Sequence, residues 1–311
     1  MITTVTLNAS IDKMYRLACD FKTGSVMRVA EVSNSAGGKG LNSSRAIAAC
    51  GEDVCATGFV GGHNGNALCE LAQADGIPCD FVHVAAETRC CINAIDATGE
   101  STELLEPGRA VTADEVAQME KKMAELAAKS DVVTISGSAP AGCPSDIYRR
   151  LVAIVKEAGK PVILDTSGKL LIESLEAAPT MVKPNTDEIE QVLGHKPQGI
   201  EEISAAAVEL REKFGIGQVV VSLVGDGSVM ACEDGVYRVT REPIECVNPV
   251  GAGDTMVGTF AVAMARGMAP ADQIKFASAC ATANCLTQYT GRFEMATAQE
   301  LMEHTIVEKI G

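Results

Sequence analysis

Tryptophan is absent from this sequence, and aromatic residues make up only 4% of its 311 residues. Alanine, glycine and valine are abundant instead. Small and branched aliphatic side chains are typical of helices layered on a parallel sheet, so the composition disfavours an aromatic-cored β-sandwich. With 47% hydrophobic and 22% charged residues, the chain is an ordinary globular protein, long enough to bury a large core.

Long apolar runs are also missing. No stretch reaches the roughly 18 uninterrupted apolar residues that a membrane-spanning helix needs, and residues 1–7 lack the basic region and apolar run of a signal peptide. Positive charge is scarce too, because 26 Lys and Arg face 41 Asp and Glu, giving a net charge of −15. Nucleic-acid backbones and anionic lipids repel such a chain, so we expect neither nucleic-acid nor membrane partners.

The sequence also lacks the closely spaced cysteine and histidine pairs that zinc sites require. Its twelve cysteines are scattered without a C-x-x-C pair, and the chain is much longer than a typical disulfide scaffold. We therefore expect reduced, mostly buried thiols and a cytoplasmic location.

Short apolar runs alternate with longer amphipathic stretches along the chain. The runs predicted as strands are residues 3–7, 54–60, 132–136, 161–165, 181–183 and 218–222. The stretches predicted as helices are residues 40–50, 66–74, 113–128, 145–158, 203–214, 254–266 and 270–287. This alternation predicts an α/β fold of three layers, α/β/α, whose mainly parallel central sheet is covered by helices on both faces.

Two segments depart from this rhythm. Residues 13–35 and 89–106 alternate like exposed strands and contain turn signals. They are far apart in the sequence, so we expect them to pair as a small sheet lying over the main one. With no internal repeat or long linker in the sequence, we expect a single domain, residues 1–311, with a β-sheet lid.

The strongest site signal is the glycine-rich loop Asn-Pro-Val-Gly-Ala-Gly-Asp-Thr at residues 248–255. Gly251 and Gly253 allow a tight turn in which several N–H groups converge, and the predicted helix that follows adds its N-terminal dipole. Such a place binds an anion and suits phosphoryl transfer, with Asp254 positioned to accept a hydroxyl proton. The alternative is a structural turn in which Asp254 only caps the helix.

A second glycine-rich loop, Ala-Gly-Gly-Lys-Gly-Leu-Asn, occupies residues 36–42 and also precedes a predicted helix. It matches neither the Walker pattern nor the dinucleotide pattern G-x-G-x-x-G. Taken alone, it is better interpreted as a flexible turn with a solvated lysine.

Together, the two loops resemble those of the ribokinase-like carbohydrate kinases of the phosphofructokinase-B type. Further motifs of that family follow in family order almost from end to end: Thr6-Leu7-Asn8, Ile11-Asp12, Thr88-Arg89, Thr102-Glu103, Ser136-Gly137-Ser138, Pro140, Asp165-Thr166-Ser167-Gly168, Lys183-Pro184-Asn185, Glu188 and Val221-Ser222. The resemblance implies the three-layer ribokinase-like fold with a lid, ATP and Mg²⁺ as cofactors, and phosphoryl transfer to a sugar.

Within the family, the chain is most similar to the kinases of phosphorylated sugars, tagatose-6-phosphate kinase and 1-phosphofructokinase. The guanidinium of Arg89 can bind a substrate phosphate in bidentate fashion. Thr290-Gly291, residues 102–106 and residues 248–251 look closer to tagatose-6-phosphate kinase. Both substrates are ketohexose monophosphates with a free terminal hydroxyl, and both give a 1,6-bisphosphate, so one pocket design serves either.

The resemblance also implies roles for individual residues. In catalysis, Asp254 is the expected general base, and the N–H groups of Gly251, Ala252 and Gly253 stabilise the transferring phosphoryl group. In substrate binding, the hydroxyls of the sugar are held by Asp12, Gly38 and Asn42, its phosphate by Lys39 and Arg89, and the pocket is lined by Ser138. In cofactor binding, the nucleotide loop is Ser222, Gly225 and Gly227, and the ATP phosphates lie near Lys183 and Asn185. Mg²⁺ is organised by Glu188 through water, because this cation keeps much of its hydration.

Each of these residues has a structural alternative. For Lys39 and Arg89 the alternative is a surface cation, and for Asp12 it is a turn residue at a strand end. Glu188 fits the first turn of a helix, where its charge suits the dipole. The remaining alternatives are simple turns, at Ser138 before a proline and at Ser222 with its glycines.

The chain departs from the family pattern at Ala9, where proline is usual, and at Met27, Ser43 and Ser44. Met27, Ser43 and Ser44 flank the expected sugar pocket, so these departures weaken the substrate assignment more than the reaction class. Two other functions remain open: a kinase for an unphosphorylated sugar or nucleoside, and a non-catalytic phosphosugar sensor. Relatives often pair through the lid, so a homodimer through the lid is also expected.

Overall fold

The computed structural model describes residues 1–223 and 225–311. Ten strands in these ranges form one central sheet: β1 (Ile2–Thr6), β4 (Val54–Val60), β5 (Val82–His83), β8 (Val132–Ser136), β9 (Val162–Asp165), β10 (Met181–Val182), β11 (Gln218–Leu223), β12 (Gly227–Cys232), β13 (Gly235–Thr240) and β14 (Ile306–Lys309). Their order is β14-β13-β12-β11-β10-β9-β8-β1-β4-β5. The strands from β11 to β5 pair in parallel, and β12, β13 and β14 extend the sheet in antiparallel fashion. The sheet is mainly parallel, as predicted.

Ten helices pack around this sheet within the same ranges: α1 (Lys39–Ala49), α2 (Gly62–Ala74), α3 (Ala113–Ala127), α4 (Ile147–Glu157), α5 (Gly168–Leu175), α6 (Thr186–Leu193), α7 (Gly199–Phe214), α8 (Ala252–Ala265), α9 (Pro270–Cys285) and α10 (Met295–Glu303). The seven predicted helices are all present, and α5, α6 and α10 are additional. In the described part of the chain, no helix is both long enough and apolar enough to cross a bilayer.

Two hydrophobic cores lie on opposite faces of the sheet. Successive strand side chains point to opposite faces, and β11 shows this directly, since Val220 belongs to one core while Val219 and Val221 belong to the other. Helices α1, α2, α8, α9 and α10 cover the first core, and α3 to α7 cover the second. Each fully buried large apolar side chain, such as Phe260, contributes about 1.5–3 kcal/mol to folding. The structure thus confirms the predicted three-layer fold.

A second, four-stranded sheet forms the lid. Its strands are β2 (Ser10–Leu17), β3 (Val29–Gly37), β6 (Arg89–Ile95) and β7 (Ser101–Leu105), in the order β3-β2-β6-β7. Strand β2 follows β1 after a short turn, so the lid is connected directly to the carboxyl end of a central strand. Ligands of open α/β sheets bind outside the carboxyl ends of the strands. The lid therefore covers the edge where a ligand is expected.

Candidate active site

A cavity of about 700 Å³ lies between the lid and the carboxyl ends of the central strands. Its walls include all six residues that the sequence assigned to the substrate: Asp12, Gly38, Lys39, Asn42, Arg89 and Ser138. A wider cleft of about 920 Å³ at the β5 edge is lined by residues from Asn66 to His83 and contains none of the predicted site residues. We place the active site in the first cavity because the predicted chemistry converges there.

Asp254 lies in the first turn of α8, beside this cavity. Gly251 precedes the helix with a left-handed φ of 81°, and a Cβ atom there would collide with Thr290, so only glycine fits. Helix α8 begins at Ala252, and its first N–H groups have no partner within the helix. The N–H group of Ala252 donates a long hydrogen bond of 3.3 Å to the Pro249 carbonyl oxygen. The predicted anion site is thus built as a helix N-terminus.

The carboxylate of Asp254 is only 8% exposed. Asn42 in α1 donates a 2.8 Å hydrogen bond from its Nδ2 to Asp254 Oδ2, and the Ser43 hydroxyl donates to the backbone oxygen of Asp254. Burial is the main cause that raises the pKa of Asp254 to about 6, and the negative charge of Asp165 raises it further. The positive charge of Lys39 acts in the opposite direction. A carboxylate with such a pKa is ionised at neutral pH yet basic enough to take a proton.

Turnover is expected to fall about tenfold per pH unit below a pH near 6, because only ionised Asp254 can accept a proton. Activity is lost as the pH falls, because Asp254 becomes protonated about two pH units above the usual pKa of aspartate. The measurement is kcat/KM between pH 5 and 8 at constant ionic strength. A flat profile down to pH 5 would contradict the assignment of Asp254 as the base.

Asp165, at the end of β9, anchors two lysines beside the base. Its 2% exposed carboxylate receives Lys39 Nζ at 3.1 Å and Lys183 Nζ at 3.4 Å. Burial alone would raise the pKa of Asp165, but the two ammonium groups outweigh it and lower the pKa. Partial burial disfavours the charge on Lys39, yet the carboxylates of Asp165 and Asp254 outweigh it and raise its pKa. Lys39 is therefore held charged.

This cluster lies close to the helix N-terminus of α8. A Cβ atom added at Gly253 would lie 3.5 Å from Lys183 Nζ. The arrangement brings two fixed cations and a helix dipole to one place, which suits a polyphosphate. The sequence grouped Lys39 with Arg89 at the sugar phosphate, whereas the structure joins Lys39 to Asp165 and Lys183. Its role at the substrate phosphate stays a prediction.

Arg89 and Asp12 lie on the lid side of the cavity. Arg89 donates from Nε to the Asn8 carbonyl oxygen at 3.1 Å and from one Nη to the Glu106 carbonyl oxygen at 2.7 Å. Asp12 Oδ1 accepts a 2.6 Å bond from the Ser10 hydroxyl. Burial raises the pKa of Asp12, although Ser10 and the charges of Arg45 and Arg89 act in the opposite direction.

Ser138 follows β8 on the opposite wall. Its hydroxyl oxygen accepts a 3.1 Å bond from the side-chain amide of Asn8, which also donates to the Pro107 carbonyl oxygen. Asn8 therefore links the substrate walls above β1 and β8. Asn8 belongs to the motif Thr6-Leu7-Asn8, and no role for it was predicted from the sequence.

The predicted nucleotide residues form a separate group at the ends of β10 and β11. Ser222 forms a β-bridge to Asn185. Gly225 lies in the turn between β11 and β12, Gly227 is the first residue of β12, and both have positive φ angles. Among the described residues, those of this turn do not line the 700 Å³ cavity. The group thus lies outside the lining of the substrate cavity, and Lys183 links it to Asp165.

Asn185 and Glu188 begin α6 as a capping box. The Asn185 side chain accepts from the Glu188 N–H, and Glu188 Oε2 accepts from the Asn185 N–H, each at 2.9 Å. Burial raises the pKa of Glu188, with the bond from Asn185 opposing it. The helix-capping alternative for Glu188 is therefore realised, and one carboxylate oxygen is left outside the capping box.

Sequence reasoning missed two residues with evident roles in this architecture. Asp165 had been noted only within a motif, and the available signal was an acidic residue closing an apolar strand. Arg45 is 6% exposed within α1 and lines the cavity. Its signal was a cation among the apolar residues of a predicted helix.

Comparisons with known proteins agree with this geometry. The model of the pfkB family carbohydrate kinases matches residues 5–296. Escherichia coli phosphofructokinase-2, solved in complex with potassium, is 27% identical, with 97% of this chain and 98% of that chain covered and a TM-score of 0.92. Other structures of that protein are in complex with fructose-6-phosphate or in a tetrameric inhibited form.

Two further structures extend the comparison. A Thermotoga maritima protein described as a possible 1-phosphofructokinase is 29% identical over 100% of both chains, with a TM-score of 0.90. Arabidopsis thaliana ribokinase, in complex with ribose and ATP, is 23% identical with a TM-score of 0.78, covering 97% of this chain and 98% of that one. This last likeness shows the ribokinase-like fold. The chain therefore belongs to the pfkB family of carbohydrate kinases.

Proposed function

We propose that this kinase transfers the γ-phosphoryl group of ATP to the free terminal hydroxyl of a ketohexose monophosphate, giving a 1,6-bisphosphate. One observation carries the proposal: a buried carboxylate with a raised pKa, Asp254, lies at a helix N-terminus beside a cavity whose lid side carries Arg89. The base and the anion site supply the reaction, and Arg89 supplies the preference for a phosphorylated sugar.

In the proposed reaction, the sugar hydroxyl oxygen forms a bond to the γ-phosphorus of ATP. The bond between the γ-phosphorus and the β,γ-bridging oxygen breaks at the same time. The proton passes to Asp254, whose Oδ2 is held by Asn42. The N–H groups of Gly251, Ala252 and Gly253, with the α8 dipole, face the charge that develops on the transferring group. ADP leaves with the bridging oxygen, so atoms and charge balance.

We assign the nucleotide to the group formed by Ser222, Gly225, Gly227, Lys183 and Asn185. Lys183 links this group to the base, since it shares Asp165 with Lys39. The described residues contain no cluster of three or more metal-ligating side chains. A single carboxylate suits Mg²⁺, which keeps much of its water and takes phosphate oxygens. Glu188 has a carboxylate oxygen outside its capping box for this purpose, and bound Mg²⁺ would neutralise phosphate charge.

Tagatose 6-phosphate is the substrate we favour, with fructose 1-phosphate second. Thr290 contacts the anion loop at Gly251 and lines the cavity, as does Asn248. Both belong to the motifs that look closer to tagatose-6-phosphate kinase. The similarity to the Thermotoga maritima protein supports the second substrate, and the Escherichia coli complex supports a fructose phosphate more generally.

The Arg89→Met variant is expected to raise KM for the phosphosugar about 100-fold with a much smaller change in kcat. A phosphate that loses a charge-assisted arginine contact binds more weakly, while Asp254 and the anion site remain in place. The measurement is KM for the phosphosugar at saturating ATP, with Arg149→Met as control because Arg149 forms exposed ion pairs on α4. An unchanged KM would remove Arg89 from the phosphate site.

The function is tested by ADP release with Mg-ATP on tagatose 6-phosphate, fructose 1-phosphate, fructose 6-phosphate, fructose and ribose. We expect a clear preference for one of the first two. Turnover restricted to the free sugars would support the kinase for unphosphorylated substrates. Tight phosphosugar binding without turnover would support the sensor.

We also propose that the chain works in the cytoplasm, where ATP and sugar phosphates occur, and that it pairs through the lid. Val32, Leu104 and Leu105 are exposed apolar residues of the lid, and a partner would cover such residues. The similar Escherichia coli protein forms a tetramer in one structure. Sedimentation equilibrium giving only the 32.4 kDa monomer mass would contradict the pairing.

A further inference from the structure

Arg45 is a buried arginine to which the proposed reaction gives no role. It lies in α1, one turn after Asn42, and is 6% exposed. Its Nε donates to Asp75 Oδ2 at 2.7 Å, one Nη donates to Asn42 Oδ1 at 2.8 Å, and the other donates to the Ala36 carbonyl oxygen. A buried guanidinium is unfavourable unless its donors are satisfied, and here three different partners satisfy it.

The side chain of Asn42 lies between Arg45 and Asp254. An ionised carboxylate can only accept hydrogen bonds, so the Nδ2 group of Asn42 must face Asp254. A guanidinium can only donate, so Oδ1 of Asn42 must face Arg45. Both ends of the amide are therefore specified by neighbours of opposite character. Without Arg45, Oδ1 of Asn42 loses its hydrogen-bond donor. The orientation of the amide then depends only on the bond from Nδ2 to Asp254.

We propose that Arg45 is a positioning residue of the kinase reaction, which fixes the Asn42 amide so that its NH₂ group holds Asp254 in place. The inference rests on the proposed function in so far as Asp254 is the base. The hydrogen bonds from Asp75 through Arg45 and Asn42 to Asp254 are independent of that function.

Asp75 anchors Arg45 from outside the cavity. It is the C-cap residue of α2, and its carboxylate receives Arg45 on one oxygen and Arg292 on the other. Arg292 also lines the cavity. A continuous chain of hydrogen bonds thus runs from the end of α2 through Arg45 and Asn42 to the base.

Arg45 acts on Asp254 through this amide. The charged groups that face Asp254 are Lys39 at the start of α1, Asp165 at the end of β9 and Lys183 after β10. The hydrogen bond from Asn42 lowers the pKa of Asp254. If Asn42 is no longer fixed, this bond weakens and the pKa of Asp254 rises.

The test is the titration of Asp254 in protein labelled with ¹³C at the aspartate carboxyl carbons, with its signal identified by its loss in Asp254→Asn. In Arg45→Met we expect the midpoint to rise by about one pH unit. The acidic limb of kcat is expected to move by the same amount, with kcat at pH 7 falling about tenfold. Arg45→Gln, which can accept as well as donate, is expected to shift both in the same direction and serves if the methionine variant does not fold.

Arg266→Met is the matched control. Arg266 likewise donates from Nε to a carboxylate, that of Glu52, and from Nη to a carbonyl oxygen, that of Cys50. Arg266 is the C-cap residue of α8 and contacts α1 at its C-cap, Cys50, at the opposite end of that helix from Asn42. The Asp254 titration should therefore not move.

An unchanged Asp254 titration in folded Arg45 variants would overturn the inference. If the unchanged titration came with a raised KM for the phosphosugar, Arg45 would be a substrate contact instead. A shifted titration in an enzyme that phosphorylates none of the sugars tested would uphold the inference and refute the proposed function.

Discussion

Replacing Asp254 with asparagine is expected to lower kcat at least about 100-fold, the magnitude associated with loss of a general base. Asparagine keeps the shape of the side chain and an oxygen that can still accept the bond from Asn42. Binding of ATP and phosphosugar should therefore be nearly unchanged. The measurement combines kcat from ADP release with Kd for each ligand from calorimetry.

The same variant is expected to be more stable at pH 7. The pKa of Asp254 is raised to about 6 in the folded protein from its ordinary value of 3.8, so its ionised form disfavours folding above pH 3.8. This cost grows between the two pKa values and is complete above about pH 6, where it amounts to roughly 2–3 kcal/mol. A neutral amide removes it, and Tm should rise.

Asp131→Asn, at an exposed acid paired with the N-terminus, controls for the general effect of the substitution. Near-normal turnover in Asp254→Asn would contradict the role of this residue. A large loss of ligand affinity with little change in kcat would make Asp254 a binding residue.

The second large effect is expected at Gly253, where alanine should lower kcat about 100-fold without lowering Tm. Gly253 lies inside α8, where alanine is the better helix former. Its Cβ would meet Lys183 Nζ at 3.5 Å, an ordinary contact. The methyl group would, however, occupy the space between the helix N-terminus and the lysines, where we place the transferring phosphoryl group.

The control for Gly253→Ala is the Kd of the phosphosugar, which depends on the Arg89 end of the cavity. A fall in turnover with this Kd and Tm maintained would support the position of the phosphoryl group. Full activity in the folded alanine variant would place phosphoryl transfer elsewhere.

The central layers of the fold could be predicted because their signals are local. Strands such as β8 are short, uninterrupted apolar runs, and helices such as α3 repeat apolar residues on one face. The helix α6 entered the sequence analysis only as the alternative for Glu188, although Asn185 and Glu188 have capping-box spacing. Its eight residues are too few for periodicity to be recognised.

The antiparallel edge was harder to predict. Strands β12 and β13 are adjacent in sequence, but β14 comes from the end of the chain and pairs with β13. Such a pairing depends on the tertiary arrangement of distant segments, and the exposed pattern of β14 carries little signal.

The candidate site divides in the same way. The two glycine-rich loops could be recognised because each places its residues within one turn of a helix start. Asp165 with Lys39, and Arg45 with Asp75, join residues 126 and 30 positions apart. Charge pairs at such separations form only when α1 packs on the sheet and the C-cap residue of α2, Asp75, comes to lie beside Arg45. The sequence alone offers no reason to connect them.

The most direct test of the central claim is ³¹P NMR of the enzyme with Mg-ATP and tagatose 6-phosphate, and in a parallel sample fructose 1-phosphate. We predict that one sample accumulates ADP and one new sugar phosphomonoester in equal amounts, with both phosphates of the bisphosphate resolved. Release of inorganic phosphate in place of the new ester, or no consumption of ATP in either sample, would contradict the account.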